Sequence, residues 1–226
     1  KKVSCRTWFG GVLLATSVSV AVSAEAPTAP KLQGLAPAAA AKFVEIVATP
    51  TLLEQLNAGG FTLYLRHGMT DNAKPDRVPT VDLNDCSTQR PLTEEGRKLE
   101  AQVGDMMRKA RIPIGEFLVS PMCRAKESAA AAHPKLVPTI DLQLMYVANF
   151  TDAEKAPIIA NTRKLLSAPV APGTNRLVLA HAPNLMDLMG YFPKEGTLVI
   201  FRPKGAAAGF EYLASVRPTD WAGLLK

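Results

Sequence analysis

Phe61-Thr62-Leu63-Tyr64-Leu65 is almost continuously apolar and stops abruptly at Arg66-His67-Gly68. Such a short apolar run reads as a strand covered on both faces, which belongs in a mostly parallel sheet packed between helices. The stop puts a cation and an imidazole at the rim of that sheet. Gly68 lets the backbone turn there and approach a ligand closely. An imidazole beside a fixed guanidinium suits attack on a phosphoryl group. The guanidinium neutralises the phosphate oxygens, and the histidine nitrogen is the nucleophile.

The rest of the chain continues the same pattern. Thr49-Pro50 opens a helix, with Pro at its first position, that runs through Leu52, Leu53 and Leu56 and stops at Gly59-Gly60. Residues 71–90 form a polar, turn-rich loop whose length marks it as functional. Thr93 caps a helix with Glu94 and Glu95 in its first turn, ending near Lys109. Phe117–Val119, Thr139–Leu142 and Arg176–Ala180 read as further strands, with helices at about 123–133, 152–166 and 184–189. Thr197–Phe201 and Phe210–Val216 read as a closing hairpin. Strands alternating with helices predict a three-layer α/β fold. Its central sheet is mostly parallel, with helices on both faces and an antiparallel hairpin at the edge.

The N-terminus reads as a targeting segment. Lys1, Lys2 and Arg6 precede an apolar run from Trp8 to Val22, and Val22-Ser23-Ala24 is a small-residue cleavage site. Residues 1–24 are therefore expected to be a signal peptide, with an uncleaved anchor as the other reading. Residues 25–48 form an Ala/Pro-rich lead-in, and 49–226 a single domain. The apolar run is too short for a membrane span, so none is expected after cleavage. The location implied is periplasmic or secreted.

With 47% hydrophobic and 20% charged residues, the composition is that of an ordinary globular domain. Removing three positive charges takes the net charge from +6 to +3. No basic block argues for nucleic acid. There is no Cys/His spacing for zinc and no carboxylate cluster for magnesium, so neither metal nor cofactor is expected.

Three predicted strands end in suggestive residues: Arg66-His67, Ser120-Pro121-Met122-Cys123-Arg124, and Ala180-His181-Ala182-Pro183-Asn184. In open parallel sheets ligands bind beyond the carboxyl ends of the strands, so these groups converge on one rim. Two arginines and two histidines there make a cage for a dianionic phosphate. His133, at a helix end, reads instead as a dipole-compensating residue.

Taken in order, Arg66-His67-Gly68-x-Thr70, Pro91-Leu92-Thr93-x-x-Gly96, Ser120-Pro121-x-x-Arg124-Ala125-x-x-Ser128 and His181 resemble the histidine phosphatase superfamily, or phosphoglycerate-mutase-like fold. The resemblance implies that His67 is the nucleophile and becomes phosphohistidine. It implies that Arg66, Arg124 and His181 hold the phosphoryl oxygens, with Thr70 adding a hydroxyl contact. The activity implied is that of a phosphatase acting on a small phosphorylated substrate or a phosphoprotein. Envelope proteins that bind phosphorylated ligands without turnover, or that serve a purely structural role, stay open as alternatives.

The chain departs from that family where the general acid belongs. The loop after the third strand reads Leu142-Gln143-Leu144-Met145-Tyr146, without an acid, and the residue after His181 is Ala182. Ala180 replaces the usual glycine before that histidine. Glu195 is the first candidate acid, followed by Asp71 and Asp152. Without a strong acid, substrates with good leaving groups are favoured. The absence of a long insertion argues against a mutase. Once the leader carrying Cys5 is removed, Cys86 and Cys123 are the only thiols. In an oxidising compartment they are expected to pair, tethering the segment that bears Arg124.

Overall fold

The structure is a computed structural model that describes residues 42–225 except Thr80. The predicted signal peptide and most of the lead-in lie outside the described residues. Six strands form one sheet: β1 (Thr62–Arg66), β2 (Ile114–Val119), β3 (Thr139–Ile140), β4 (Asn175–Ala180), β5 (Leu198–Pro203) and β6 (Phe210–Val216). Their spatial order is β3-β2-β4-β1-β5-β6. The first four in that order are mutually parallel, and β5 and β6 finish the sheet antiparallel. The predicted class is the observed one.

The helices are α1 (Pro50–Leu56), α2 (Glu94–Lys109), α3 (Cys123–Ala132), α4 (Asp152–Ser167), α5 (Ala182–Met189) and α6 (Trp221–Leu224). Every residue of β1 and β4 is buried, as the unbroken apolar runs require. Side-chain alternation sends Leu63, Leu65, Leu177 and Leu179 to one core with α1, α2, α3 and α6. Tyr64, Val178, Val199 and Phe201 go to a second core with α4 and α5. Helix starts follow their capping chemistry. The Thr49 side chain accepts from the Leu52 amide, Thr93 from Gly96, and Thr151 forms a reciprocal capping box with Glu154.

Several details differ from the sequence reading, among them the start of β2 at Ile114, three residues before Phe117, and the end of β5 at Pro203, two residues past Phe201. β3 stops at Ile140, because the Asp141 carboxylate accepts from the Gln143 amide and turns the chain into a short 3₁₀ segment. α5 starts two residues earlier than expected, with Pro183 in its first turn. α6 is an additional helix, anchored by buried Trp221. The described end of the lead-in runs along β6. The Phe43 ring stacks on Tyr191 at 4.2 Å, and the Ala48 amide donates to the Ser215 carbonyl.

Two glycines set the distance between α2 and the turn after β1. A Cβ added to Gly68 would lie 2.5 Å from the Gly96 carbonyl oxygen, and one added to Gly96 would strike the Met69 carbonyl. The Thr93 amide donates to that same Met69 oxygen at 3.0 Å. Gly68 and Gly96 are thus two halves of one backbone contact, which explains their joint presence in the sequence.

Two predictions follow from this packing. Glu100 on α2 is fully buried beside Gly68, and neither of its carboxyl oxygens has a partner among the described residues. Burial pushes its carboxyl group well above the ordinary value. The folded state therefore keeps a proton that the unfolded state releases once pH exceeds about 4.5, so this residue costs stability as pH rises through that window. Glu100→Met is expected to stabilise the domain at pH 8 by about 1–3 kcal/mol, and by less at pH 4. Thermal melts at both pH values check it.

The second prediction concerns Cys86 and Cys123, which form a disulfide with Cα atoms 5.7 Å apart. The bridge closes a separation of 37 residues. In the chain-entropy picture its loss costs about 4 kcal/mol. Reduced protein should melt well below oxidised protein and still refold, as calorimetry with and without reductant would show.

Candidate active site

The parallel register brings the predicted residues together. Arg66 lies opposite Ala180, so the next residues, His67 and His181, leave adjacent strands side by side. The His67 amide donates to the Ala180 carbonyl, and the Ser120 amide to the Leu179 carbonyl. In the order β2-β4-β1, Ser120 and His67 thereby flank His181 at the carboxyl rim of the sheet, where the strand ends of an α/β fold build their sites. The imidazole centroids of His67 and His181 are 5.2 Å apart, edge to face.

The His67 ring is held in one tautomer. His67 Nδ1 lies 2.8 Å from the Gly68 carbonyl oxygen, which can only accept, so Nδ1 carries the proton and Nε2 offers its lone pair. Ser120 Oγ accepts from the Met122 amide and lies 2.7 Å from His181 Nε2. With the Ser120 hydroxyl as donor to Nε2, the single ring proton of neutral His181 sits on Nδ1. Tyr64 fixes the His181 backbone from below. Its hydroxyl donates to the His181 carbonyl at 2.9 Å and accepts from the His181 amide at 3.1 Å. Burial is the largest influence on both imidazoles, with Arg124 next, and together they hold both well below the ordinary histidine value. At neutral pH His67 therefore presents an uncharged, nucleophilic Nε2.

Around these rings sit buried cations. Arg66 donates to the Pro193 carbonyl at 2.6 Å and to Glu195 Oε1 at 2.5 Å, with Phe192 across its face at 5.0 Å. Arg124 is completely buried. It pairs with Asp76 Oδ1 at 2.9 Å and lies 4.8 Å from the centroid of the Tyr146 ring. Burial pulls both guanidinium groups below their ordinary value, while Glu195 and Asp76 act in the opposite sense. Arg90 is a third cation, 6.0 Å from the Tyr146 centroid, and its field disfavours protonation of both histidines. Five buried polar atoms of this cluster have no partner among the described residues: Arg66 Nε, Arg90 Nε, Arg124 Nε, Arg124 Nη2 and His181 Nδ1. Buried donors without acceptors are uncommon in folded proteins. Five in one cluster of positive groups make a seat for an anion with several oxygens.

The structure thus groups Arg66, His67, Arg124 and His181. The other sequence candidates stand differently. Glu195 is beside the cluster, committed to Arg66. Thr70 bridges to Leu92 through its backbone, and among the described residues its hydroxyl bonds to no member of the cluster. Asp71 accepts from the Ala73 amide and pairs with Lys74 at 3.6 Å. Asp152 is exposed at the start of α4, near Lys155 and Asp187. Among the described residues no group of three His, Cys, Asp or Glu side chains is placed to hold a metal ion, and no helix is long and apolar enough to cross a membrane.

Arg90, Asp76 and Tyr146 are the residues that sequence reasoning missed. Arg90 directly precedes Pro91-Leu92-Thr93, so its position at the anchored end of the long loop was a usable signal. Asp76 lies in the middle of that loop, where no periodicity marks a direction.

No family model matches the chain, and no curated protein matches it. Solved structures do. The chain is similar to mycobacterial hydrolase 1, with 13% identity over 70% of this chain and 98% of that one and a TM-score of 0.51. It is similar to the protein histidine phosphatase SixA solved with tungstate, with 17% identity over 71% of this chain and 98% of that one and a TM-score of 0.49. A third structure is mycobacterial glucosyl-3-phosphoglycerate phosphatase with inorganic phosphate, at 15% identity over 69% of this chain and 96% of that one and a TM-score of 0.48. The strand order and rim described above belong to a fold that this chain shares with mycobacterial hydrolase 1.

Proposed function

We propose that the chain is a metal-independent phosphatase, a phosphomonoesterase or phosphohistidine-type phosphatase, that works through a phosphohistidine on His67. The observation that carries this reading is the set of five unpartnered buried donor atoms grouped around an uncharged imidazole. Arg66, Arg90, Arg124 and His181 hold the phosphoryl oxygens, and Nε2 of His67 attacks phosphorus in line. Charge building on the equatorial oxygens meets donors that are already fixed, so little reorganisation is needed at the transition state. Water then attacks the phosphohistidine and releases phosphate. The substrate is a small phosphorylated molecule or a phosphoprotein. The disulfide and the basic–apolar leader support an exported protein working in an oxidising compartment.

The test is turnover of an activated aryl phosphate in excess EDTA. His67→Ala should lower kcat by at least about 10²–10³-fold, the scale on which essential groups of such sites act. Wild-type turnover in that variant would overturn the assignment. Tight stoichiometric phosphate binding without turnover by the wild-type protein would show a binding protein instead.

A further inference from the structure

The residues around the proposed phosphoryl seat leave one role unfilled, the proton donor to the leaving group. We propose that Asp76 fills it, with the leaving group seated in the small pocket beside it. This inference rests on the phosphatase reading above.

Asp76 comes from the long loop, yet its side chain is only 7% exposed. Its Oδ1 is fixed twice, by Arg124 Nη1 at 2.9 Å and by the Arg90 amide at 2.8 Å. Its Oδ2 makes no hydrogen bond to a described residue. Asp76 forms one wall of a cavity of about 100 Å³, whose other walls include Met122, Met145, Tyr146, Asn149 and Phe150. Tyr146 joins this cavity to the anion seat: it lines the cavity, and its ring lies against Arg124 and His181. An alcohol or phenol leaving a phosphoryl group held by Arg124 therefore departs into a pocket that has one carboxyl group on its wall. The mostly apolar and aromatic lining suits a ring or short hydrocarbon on the leaving oxygen. The other acids near the rim are engaged elsewhere, Glu195 with Arg66 and Asp71 with Lys74.

The chemistry balances without a further reactant. A phosphate ester that binds as its monoanion and takes Arg124 from Asp76 brings one proton with it, and that proton passes to the Asp76 carboxyl oxygen, which leaves the phosphoryl group as the dianion. As the bond from His67 Nε2 to phosphorus forms and the ester P–O bond breaks, that proton passes to the leaving oxygen. Asp76 is left as carboxylate. It then takes a proton from the water that attacks phosphorus, the N–P bond breaks, and phosphate, neutral His67 and protonated Asp76 result.

The experiment compares phenyl phosphate with p-nitrophenyl phosphate, which present similar rings but leaving oxygens of very different basicity. Asp76→Asn should lose about 10²–10⁴-fold in kcat/KM on phenyl phosphate, the usual worth of a general acid. On p-nitrophenyl phosphate, whose leaving group needs no proton, it should lose less than about tenfold. Equal losses on both esters would overturn the proposal and reduce Asp76 to a positioning residue for Arg124. Should the variant fail to fold, the wild-type protein still decides. A shallow dependence of kcat/KM on leaving-group basicity across substituted phenyl phosphates is expected, and a steep one overturns the proposal. Absence of turnover of either ester by the wild-type protein would remove the phosphatase reading itself, and the proton donor with it.

Discussion

Two buried arginines, a half-buried third and two neutral histidines share one corner of this molecule, and much of the surrounding structure answers that arrangement. Removing an ion from water costs several kcal/mol even after relaxation. The cost is offset by specific groups: Glu195 and the Pro193 carbonyl on Arg66, Asp76 on Arg124, and the faces of Phe192 and Tyr146. The compensation is incomplete, since several guanidinium donors have no acceptor among the described residues, and it is these donors that the proposed phosphoryl seat would use. Burial first, and the field of the arginines second, hold both imidazoles uncharged, which is the state that the proposed nucleophile requires.

Rigid neighbours hold the corner in place. The backbone contact between Gly68 and Gly96 seats the turn after β1 on α2, and the Gly68 amide donates to Ser128 on α3. The Tyr64 hydroxyl clamps the His181 backbone from the second core. The disulfide joins the long loop to the start of α3, and Gln89 beside it accepts from the Cys123 amide at 2.8 Å. Arg124 and Asp76, on opposite sides of that bridge, are therefore fixed relative to one another before any substrate arrives. Preorganisation of this kind lowers the ordering cost at the transition state.

Much of this was legible in the residues, for identifiable reasons. Strands buried on both faces leave unbroken apolar runs, so β1, β4 and the parallel rim could be placed from pattern alone. Arg66, His67, Arg124 and His181 follow those strands closely, so they inherit the certainty of the strands. The pairing of Cys86 with Cys123 was expected from setting Cys5 aside with the leader and assuming an oxidising compartment, and the two cysteines are bonded. What stayed hidden belongs to irregular backbone. Asp76, Arg90 and Tyr146 reach the corner through loops held by local hydrogen bonds, such as the Arg77 amide to the Thr88 carbonyl, and no periodicity tells which way such side chains point. Glu195 was picked out by its place before an edge strand. The structure puts it beside Arg66 as counter-ion, a pairing that spacing along the chain does not reveal.

The claim that everything else serves is that His67 Nε2 becomes covalently bonded to phosphorus. Rapid mixing with a ³²P-labelled aryl phosphate, quenching under conditions that preserve phosphoramidates, and peptide mapping test it directly. A label that appears on His67 within a turnover, decays with added water and is absent from His67→Ala is the expected result. Steady turnover with no label on His67 at any time would contradict it.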